Sequence, residues 1–160
     1  MLRNIIIAVT ALTLISACSS KKKDDAVVDA VEVGDKALSW DPMGSDSGNI
    51  PGLQTINFEY DKFALTPSAR EKLNGNAEWL KSNANVSLQV EGHCDSRGSI
   101  EYNLTLGERR ANAVKSYLVS LGVDAGRLSV ISYGEEKPIS MGDDESAHSQ
   151  NRRANFVPIQ

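Results

Sequence analysis

Apolar residues recur along most of this chain with the spacing of either a strand or a helix, and the alternation between the two outlines a fold. In LQTINFEY (Leu53 to Tyr60), Leu53, Ile56, Phe58 and Tyr60 are apolar and alternate from Ile56 onward, which predicts a strand. Thr66 and Pro67 then supply an N-cap and a first-turn proline. Ala69, Leu73, Ala77 and Leu80 fall on one face, so Pro67 to Ser82 is predicted as a helix, weakened by about 1 kcal/mol at Gly75. VSLQVEG (Val86 to Gly92) alternates with Val86, Leu88 and Val90 inward, a second strand. Ser99 to Asn103 reads as a turn or short helix. Leu106, Ala113, Val114, Tyr117, Leu118 and Leu121 mark the buried face of a helix from about Thr105 to Leu121, and Gly122 suits the left-handed position after its end. RLSVISYG (Arg127 to Gly134) is a third strand, Glu135 to Asn151 a loop, and RRANFVPI (Arg152 to Ile159) a last strand that Pro158 restricts to an edge or an end.

The order is strand, helix, strand, helix, strand, strand. Strand, helix and strand joined by short loops form a crossover unit whose strands run parallel. The fold class is therefore α/β (α+β), a two-layer sandwich with helices packed on one face of a small mixed sheet.

The first third of the chain has no such period. Met1 to Asn4 carries the single cation Arg3, Ile5 to Ile15 is an apolar or threonine run, and Ser16, Ala17 and Cys18 have small side chains. A charged start, a run too short to span a bilayer and a small-residue end describe an export signal. Ser19 to Gly52 mixes charge, glycine and serine. Such a composition buries too little apolar surface to offset its ordering entropy, so it is predicted as a tether, with no docking of Trp40 assumed. Fully extended it would reach roughly 110 Å, and as a flexible coil about 30 Å. The expected division is 1–17 signal, 18–52 anchor and tether, and 53–160 folded domain.

Composition narrows the function. The chain has 160 residues, 17 lysines and arginines and 21 acids. Without Arg3, sixteen cations face the 21 acids, a formal charge near −5. An acidic chain is a poor partner for nucleic acid or an anionic membrane surface. The cysteines are Cys18 and Cys94; if Cys18 carries lipid, Cys94 has no partner for a disulfide within the chain.

Candidate chemistry gathers in Gly92 to Ala111, where a strand enters a polar loop and the loop enters a helix. His93, Cys94 and Asp95 are consecutive, so they cannot easily aim at one metal, and His148 is the only other histidine. A cysteine nucleophile would need an oriented base, which nothing in the sequence indicates. No cofactor is expected. Asp95 and Arg110 read either as a loop carboxylate with a nearby arginine or as the two poles of a ligand site. The polar residues Tyr60, Asp61, Ser96, Arg97 and Asn103 stand at the ends of neighbouring elements, on the edge where open α/β sheets usually bind ligands. Arg109 and Arg110 differ by about 100° around a helix, so they cannot serve one site equally. Asn151, Arg152 and Arg153 form a second basic cluster, which reads either as a charged loop before an edge strand or as part of a site.

Several of these stretches match a known family. GHCDSRGSIEYNLTLGERRANAV (Gly92 to Val114), INFEYDKFAL (Ile56 to Leu65) and NRRA (Asn151 to Ala154) resemble the OmpA-like peptidoglycan-binding domain. The resemblance is closest to the peptidoglycan-associated lipoproteins of the Tol–Pal envelope system, and runs over about Ile56 to Val157. LISAC (Leu14 to Cys18) likewise resembles the bacterial lipobox, in which the cysteine is acylated.

The resemblance implies an OmpA-like two-layer sandwich and a ligand, the meso-diaminopimelate residue of the peptidoglycan stem peptide. Asp95 matches the aspartate that takes its ammonium side, and Arg110 the arginine that takes its carboxylate as a fork. Tyr60, Asp61, Arg97, Asn103 and Leu106 match pocket-lining positions. It further implies a lipid anchor at Cys18 in the outer membrane, a periplasmic domain, and a TolB-like periplasmic partner. Ser19 is not the aspartate that in some bacteria retains lipoproteins in the inner membrane.

Cys94 stands where threonine or alanine is usual, which predicts sensitivity to oxidation. Asn155 and Pro158 interrupt a final strand that is normally more apolar. Arg110→Ala and Asp95→Asn are expected to abolish wall binding while leaving the fold intact. Wall binding without a Tol partner, or a wall-processing enzyme, are the alternatives.

Overall fold

In the computed structural model the described residues are 40–159; the predicted signal, the lipobox with Cys18 and the tether as far as residue 39 lie outside them. The elements are β1 (Ile56–Asn57), α1 (Pro67–Ser82), β2 (Ser87–His93), α2 (Ile100–Ser120), β3 (Leu128–Gly134), α3 (Glu145–Asn151) and β4 (Arg153–Ile159), with short 3-10 turns at Gly44–Ser47 and Ala125–Arg127. The four strands form one mixed sheet in the order β1-β4-β2-β3. β2 and β3 are parallel and joined through α2, while β4 runs antiparallel to both β1 and β2. The predicted class is the observed one. The two strands flanking α1 are not neighbours, because β4 lies between them.

α1 begins as the sequence dictates. Thr66 Oγ1 accepts from the Ala69 N–H at 3.1 Å, and Pro67 occupies the first turn. Ala69, Leu73, Ala77 and Leu80 are buried against Ile56, Leu88, Val90 and Phe156 of the sheet, with Ala111, Val114 and Leu118 of α2 completing the core. α2 is longer than predicted. It starts at Ile100, where Ser99 Oγ accepts from the Tyr102 N–H at 3.2 Å, so the predicted turn at Ser99 to Asn103 is the helix's first turn.

One close approach fixes α2 on the sheet. A Cβ on Gly92 would stand 1.9 Å from the carbonyl oxygen of Gly107, so only glycine lets β2 and α2 meet at that depth. The contact brings Asn103, Leu106 and Arg110, which share a helix face with Gly107, to the C-terminal end of β2.

The predicted boundary at Leu53 needs correction. Residues 40–52 are packed on the domain: the Trp40 and Trp79 rings meet edge to face at 5.5 Å, and Ile50 is in the core. The segment is held mostly by polar contacts. Phe156 N–H donates to Ser45 Oγ, Asn155 Nδ2 donates to the Met43 carbonyl, and Arg153 Nε meets Asp46 Oδ2 at 2.8 Å with both side chains about 3% exposed. Composition alone read this stretch as tether because such contacts leave no apolar period.

The last strand also differs from expectation. β4 is central in the sheet, yet β1 pairs only with Arg153 and Ala154, so Pro158 faces β2 at Leu88 and has no strand on its other side. That is how a proline is tolerated there. The predicted loop before β4 contains α3, capped by Asp144 Oδ1 accepting from the Ala147 N–H at 2.8 Å.

Candidate functional site

The ends of β1 and β2 and the first three turns of α2 enclose a cavity of about 200 Å³. Its wall comprises Tyr60, Asp61, Cys94, Asp95, Arg97, Gly98, Tyr102, Asn103, Leu106, Arg110 and Arg152. All seven pocket residues expected from the sequence are among them. Five of these eleven residues are charged, two aspartates and three arginines.

Arg110 is completely buried beneath it. Its Nε donates to the Lys62 carbonyl at 2.9 Å, Nη1 to the His93 carbonyl at 2.8 Å and to Cys94 Sγ at 3.4 Å, and Nη2 to the Glu59 carbonyl at 3.2 Å. Four of the guanidinium's N–H groups are thereby committed, leaving one on Nη2. Arg110 thus ties the loop after β1 to the end of β2 while standing at the cavity floor. The Phe58 ring lies beneath its guanidinium, at 5.2 Å from centroid to Cζ. Burial lowers the Arg110 pKa from its ordinary value.

Asp95 is 3% exposed and is gripped by two arginines. Arg97 Nη2 lies 2.5 Å and Arg152 Nη1 3.1 Å from Oδ2, and the Arg97 N–H donates to Oδ1 at 3.2 Å. Burial alone would raise the Asp95 pKa, but the hydrogen bonds from Arg97 and Arg152 outweigh it and hold the carboxyl below its usual range. Arg97 stacks over Tyr60 at 4.0 Å and reaches Glu145 at 3.5 Å. Arg152 is anchored more deeply, with Nη2 on Glu145 at 2.6 Å and Nε on the Phe58 carbonyl at 3.1 Å.

Asp61 has a left-handed backbone, φ 54°, and accepts a hydrogen bond from the Tyr102 hydroxyl. A non-glycine residue at positive φ is a local strain, one that aspartate tolerates better than most. Asn103 Nδ2 reaches the carbonyls of Asp95 and Arg97 and Glu135 Oε2, so the helix start and the loop hold each other in place.

Sequence reasoning left Arg152 open and missed Tyr102 and Glu145. Arg152 belongs to the basic cluster before β4, and its neighbour Arg153 serves the opposite side of the sheet. Cys94 now has a structural account. It is buried, donates from Sγ to the Asn103 carbonyl at 3.3 Å, and has its pKa pushed up to about 11, mainly by burial. That argues against the predicted oxidation sensitivity, since the reactive form is the thiolate.

The chain matches the OmpA family over residues 57–152. It is 40% identical over 144 residues to a peptidoglycan-associated lipoprotein of Haemophilus influenzae, covering 90% of each chain. A protein of the same name from Rhizobium meliloti is 40% identical over 153 residues, covering 95% of this chain and 86% of the relative. Among solved structures, the peptidoglycan-associated lipoprotein of Burkholderia pseudomallei superposes with a TM-score of 0.63 at 37% identity, over 66% of this chain and 89% of that one.

Proposed function

The chain belongs to the OmpA family, and from that premise we propose that it is a non-enzymatic tether that holds peptidoglycan through the meso-diaminopimelate residue of the stem peptide. The observation that carries this reading is a single cavity in which a buried, ionised carboxylate, Asp95, faces the guanidiniums of Arg97, Arg110 and Arg152. The free end of diaminopimelate bears an ammonium and a carboxylate on one carbon. A site that selects it needs an anion and a cation a short distance apart.

The ion pairs around Asp95 indicate how the zwitterion enters. Asp95 is already paired, so the incoming ammonium must replace one arginine. Arg97 is the one that leaves, because its side chain is 35% exposed whereas that of Arg152 is 7% exposed. The ligand carboxylate then takes up Arg97 and the remaining Nη2 N–H of Arg110. Inserting a zwitterion into an existing ion pair changes no net charge, so desolvation costs less than for a single ion.

In the whole protein, acyl chains on Cys18 would anchor the chain in the outer membrane with the domain in the periplasm. Anchoring beside a polymer of repeated sites raises the effective concentration of each further contact, so modest single-site affinity suffices. A TolB-like periplasmic protein would compete for the same face, where Tyr60, Ile100 and Tyr102 are each about half exposed.

The test is competition of sacculus co-sedimentation by two stem peptides, one with diaminopimelate and one with lysine in its place. Lysine keeps the ammonium and lacks the terminal carboxylate, so it should compete about tenfold or more weakly, the loss expected for charge-assisted hydrogen bonds. Equal competition would remove the carboxylate role given to the arginines. Release of muropeptides from sacculi by the purified chain would overturn the non-enzymatic reading.

A further inference from the structure

The sheet carries a second cavity, of about 280 Å³, that shares no lining residue with the first. Its floor holds His93, which is 1% exposed, packs on the Tyr133 ring at 5.7 Å between centroids, and has neither ring nitrogen hydrogen-bonded among the described residues. Beside it is Glu91, 8% exposed, which accepts from Asn155 Nδ2 at 2.9 Å and lies 3.6 Å from His93 Nε2. Among the described residues no lysine or arginine is within salt-bridge distance of Glu91. The other charges of the cavity are committed: Arg153 is spent on Asp46 and on the Asn151 and Lys137 carbonyls, and Lys137 Nζ sits over the Tyr133 ring at 3.5 Å.

We propose that this cavity binds a primary alkylammonium group, presented either as a lysine side chain of a protein partner or as a free aliphatic amine. The ammonium donates to Glu91 and to the unprotonated nitrogen of His93, while the alkyl stem lies along Pro42, Met43, Pro138 and Ile139 at the mouth. Burial holds the His93 pKa below its ordinary value, and with Nε2–H turned toward Glu91 at 3.6 Å the lone pair on Nδ1 is the acceptor. Glu91 stays ionised: burial would raise its pKa, but the neighbouring His93 and Asn155 outweigh burial and lower it. An anion is disfavoured here, because Arg153 is already neutralised by Asp46 and Glu91 has no cationic partner among the described residues. A metal ion is disfavoured as well, since no cluster of three or more histidine, cysteine or acidic ligands occurs among the described residues. The site lies apart from the wall-binding cavity and stands or falls independently of it.

The experiment is a titration of the isotope-labelled full chain in detergent micelles, followed by NMR at the His93 ring and at the amides of Glu91 and Asn155. The probes are n-butylammonium chloride, n-butanol as its uncharged counterpart, and the blocked peptide acetyl-Gly-Lys-Gly-amide. Saturable shifts with the ammonium and not the alcohol are expected. Glu91→Gln should weaken binding about tenfold or more, the loss of one charge-assisted hydrogen bond, with sacculus co-sedimentation unchanged. Lys137→Ala removes the chain's own competing ammonium and should tighten binding, and it carries the test if Glu91→Gln does not fold. A peptide at least about tenfold tighter than n-butylammonium identifies a partner's lysine as the natural group, and equal affinities identify a free amine. Absence of saturable shifts with both amines, equal shifts with n-butanol, or indifference of the affinity to both variants overturns the proposal.

Discussion

Replacing Arg110 by alanine removes a fully buried guanidinium that serves the carbonyls of Glu59, Lys62 and His93. Glu59 and Lys62 lie on exposed chain, where water can take over their carbonyls, but His93 is buried and its carbonyl is left without that donor. One unsatisfied buried acceptor costs about 1–3 kcal/mol. The emptied side-chain volume adds a cavity cost of similar size, giving a total of about 2–6 kcal/mol. Against an ordinary stability of about 5–15 kcal/mol, the variant still folds but melts early. For an ordered part of this size the melting temperature should fall by roughly 10–20 °C. The expectation that Arg110→Ala spares the fold is therefore revised. Arg110→Lys retains the charge and one carbonyl contact, so it should recover part of the stability while binding sacculi poorly. Thermal denaturation by circular dichroism, paired with co-sedimentation at a temperature where all variants are folded, separates the two effects. A melting temperature for Arg110→Ala within about 2 °C of the parent would refute the structural role.

Three further outcomes follow from the same geometry. The Asp95 carboxyl is held below its ordinary value of 3.8, so the unfolded chain takes up that proton first; the stability it contributes is fully present above about pH 4 and is lost as pH falls through the folded value. Acid unfolding of Asp95→Asn should accordingly lack that loss, and superimposable acid limbs would contradict the pairing with Arg97 and Arg152. Cys94 should resist iodoacetamide and peroxide at neutral pH in the folded chain and react after denaturation, as read by mass mapping; rapid modification of the folded form would contradict its burial. Asp46→Asn leaves Arg153 charged and buried with a weaker partner, costing about 3 kcal/mol, and should expose the chain before Ile50 to limited proteolysis; unchanged cleavage would show that the ion pair does not hold this segment.

The parts of the fold that were legible are those that owe their position to apolar periodicity and caps. α1 was readable to the residue because Thr66, Pro67 and an apolar face agree with one another. LQTINFEY promised a longer strand than forms, because β4 offers only Ala154 and Arg153 as partners, and the chain beyond Asn57 turns into the cavity wall. α3 was unreadable because its buried positions, Ala147, His148 and Asn151, include two polar residues on a seven-residue helix. The segment at 40–52 was misread for the same reason, since Asp46, Ser45 and Asn155 replace apolar burial with hydrogen bonds. The seven candidate site residues were legible through the motif they share. Their ion-pair state was not, because which arginine holds Asp95 depends on Arg152, 57 positions away in sequence.

Both places where sequence reasoning stalled lie on the same seam. His93 and Cys94 are consecutive, yet His93 lines the second cavity and Cys94 the first; Arg152 and Arg153 divide in the same way. Each pair straddles a strand end, His93 closing β2 and Arg153 opening β4, and extended backbone sends neighbouring side chains to opposite faces. A cluster such as His-Cys-Asp therefore looks like a metal or catalytic group in sequence and is dismantled by the strand. The consequence reaches β4. Arg152 pairs with Asp95 on one face while Arg153 pairs with Asp46 of the 40–52 segment on the other. Adjacent residues of one chain segment thus serve both the candidate wall site and the 40–52 segment, which Ser45, Met43 and Ile50 also hold to the domain.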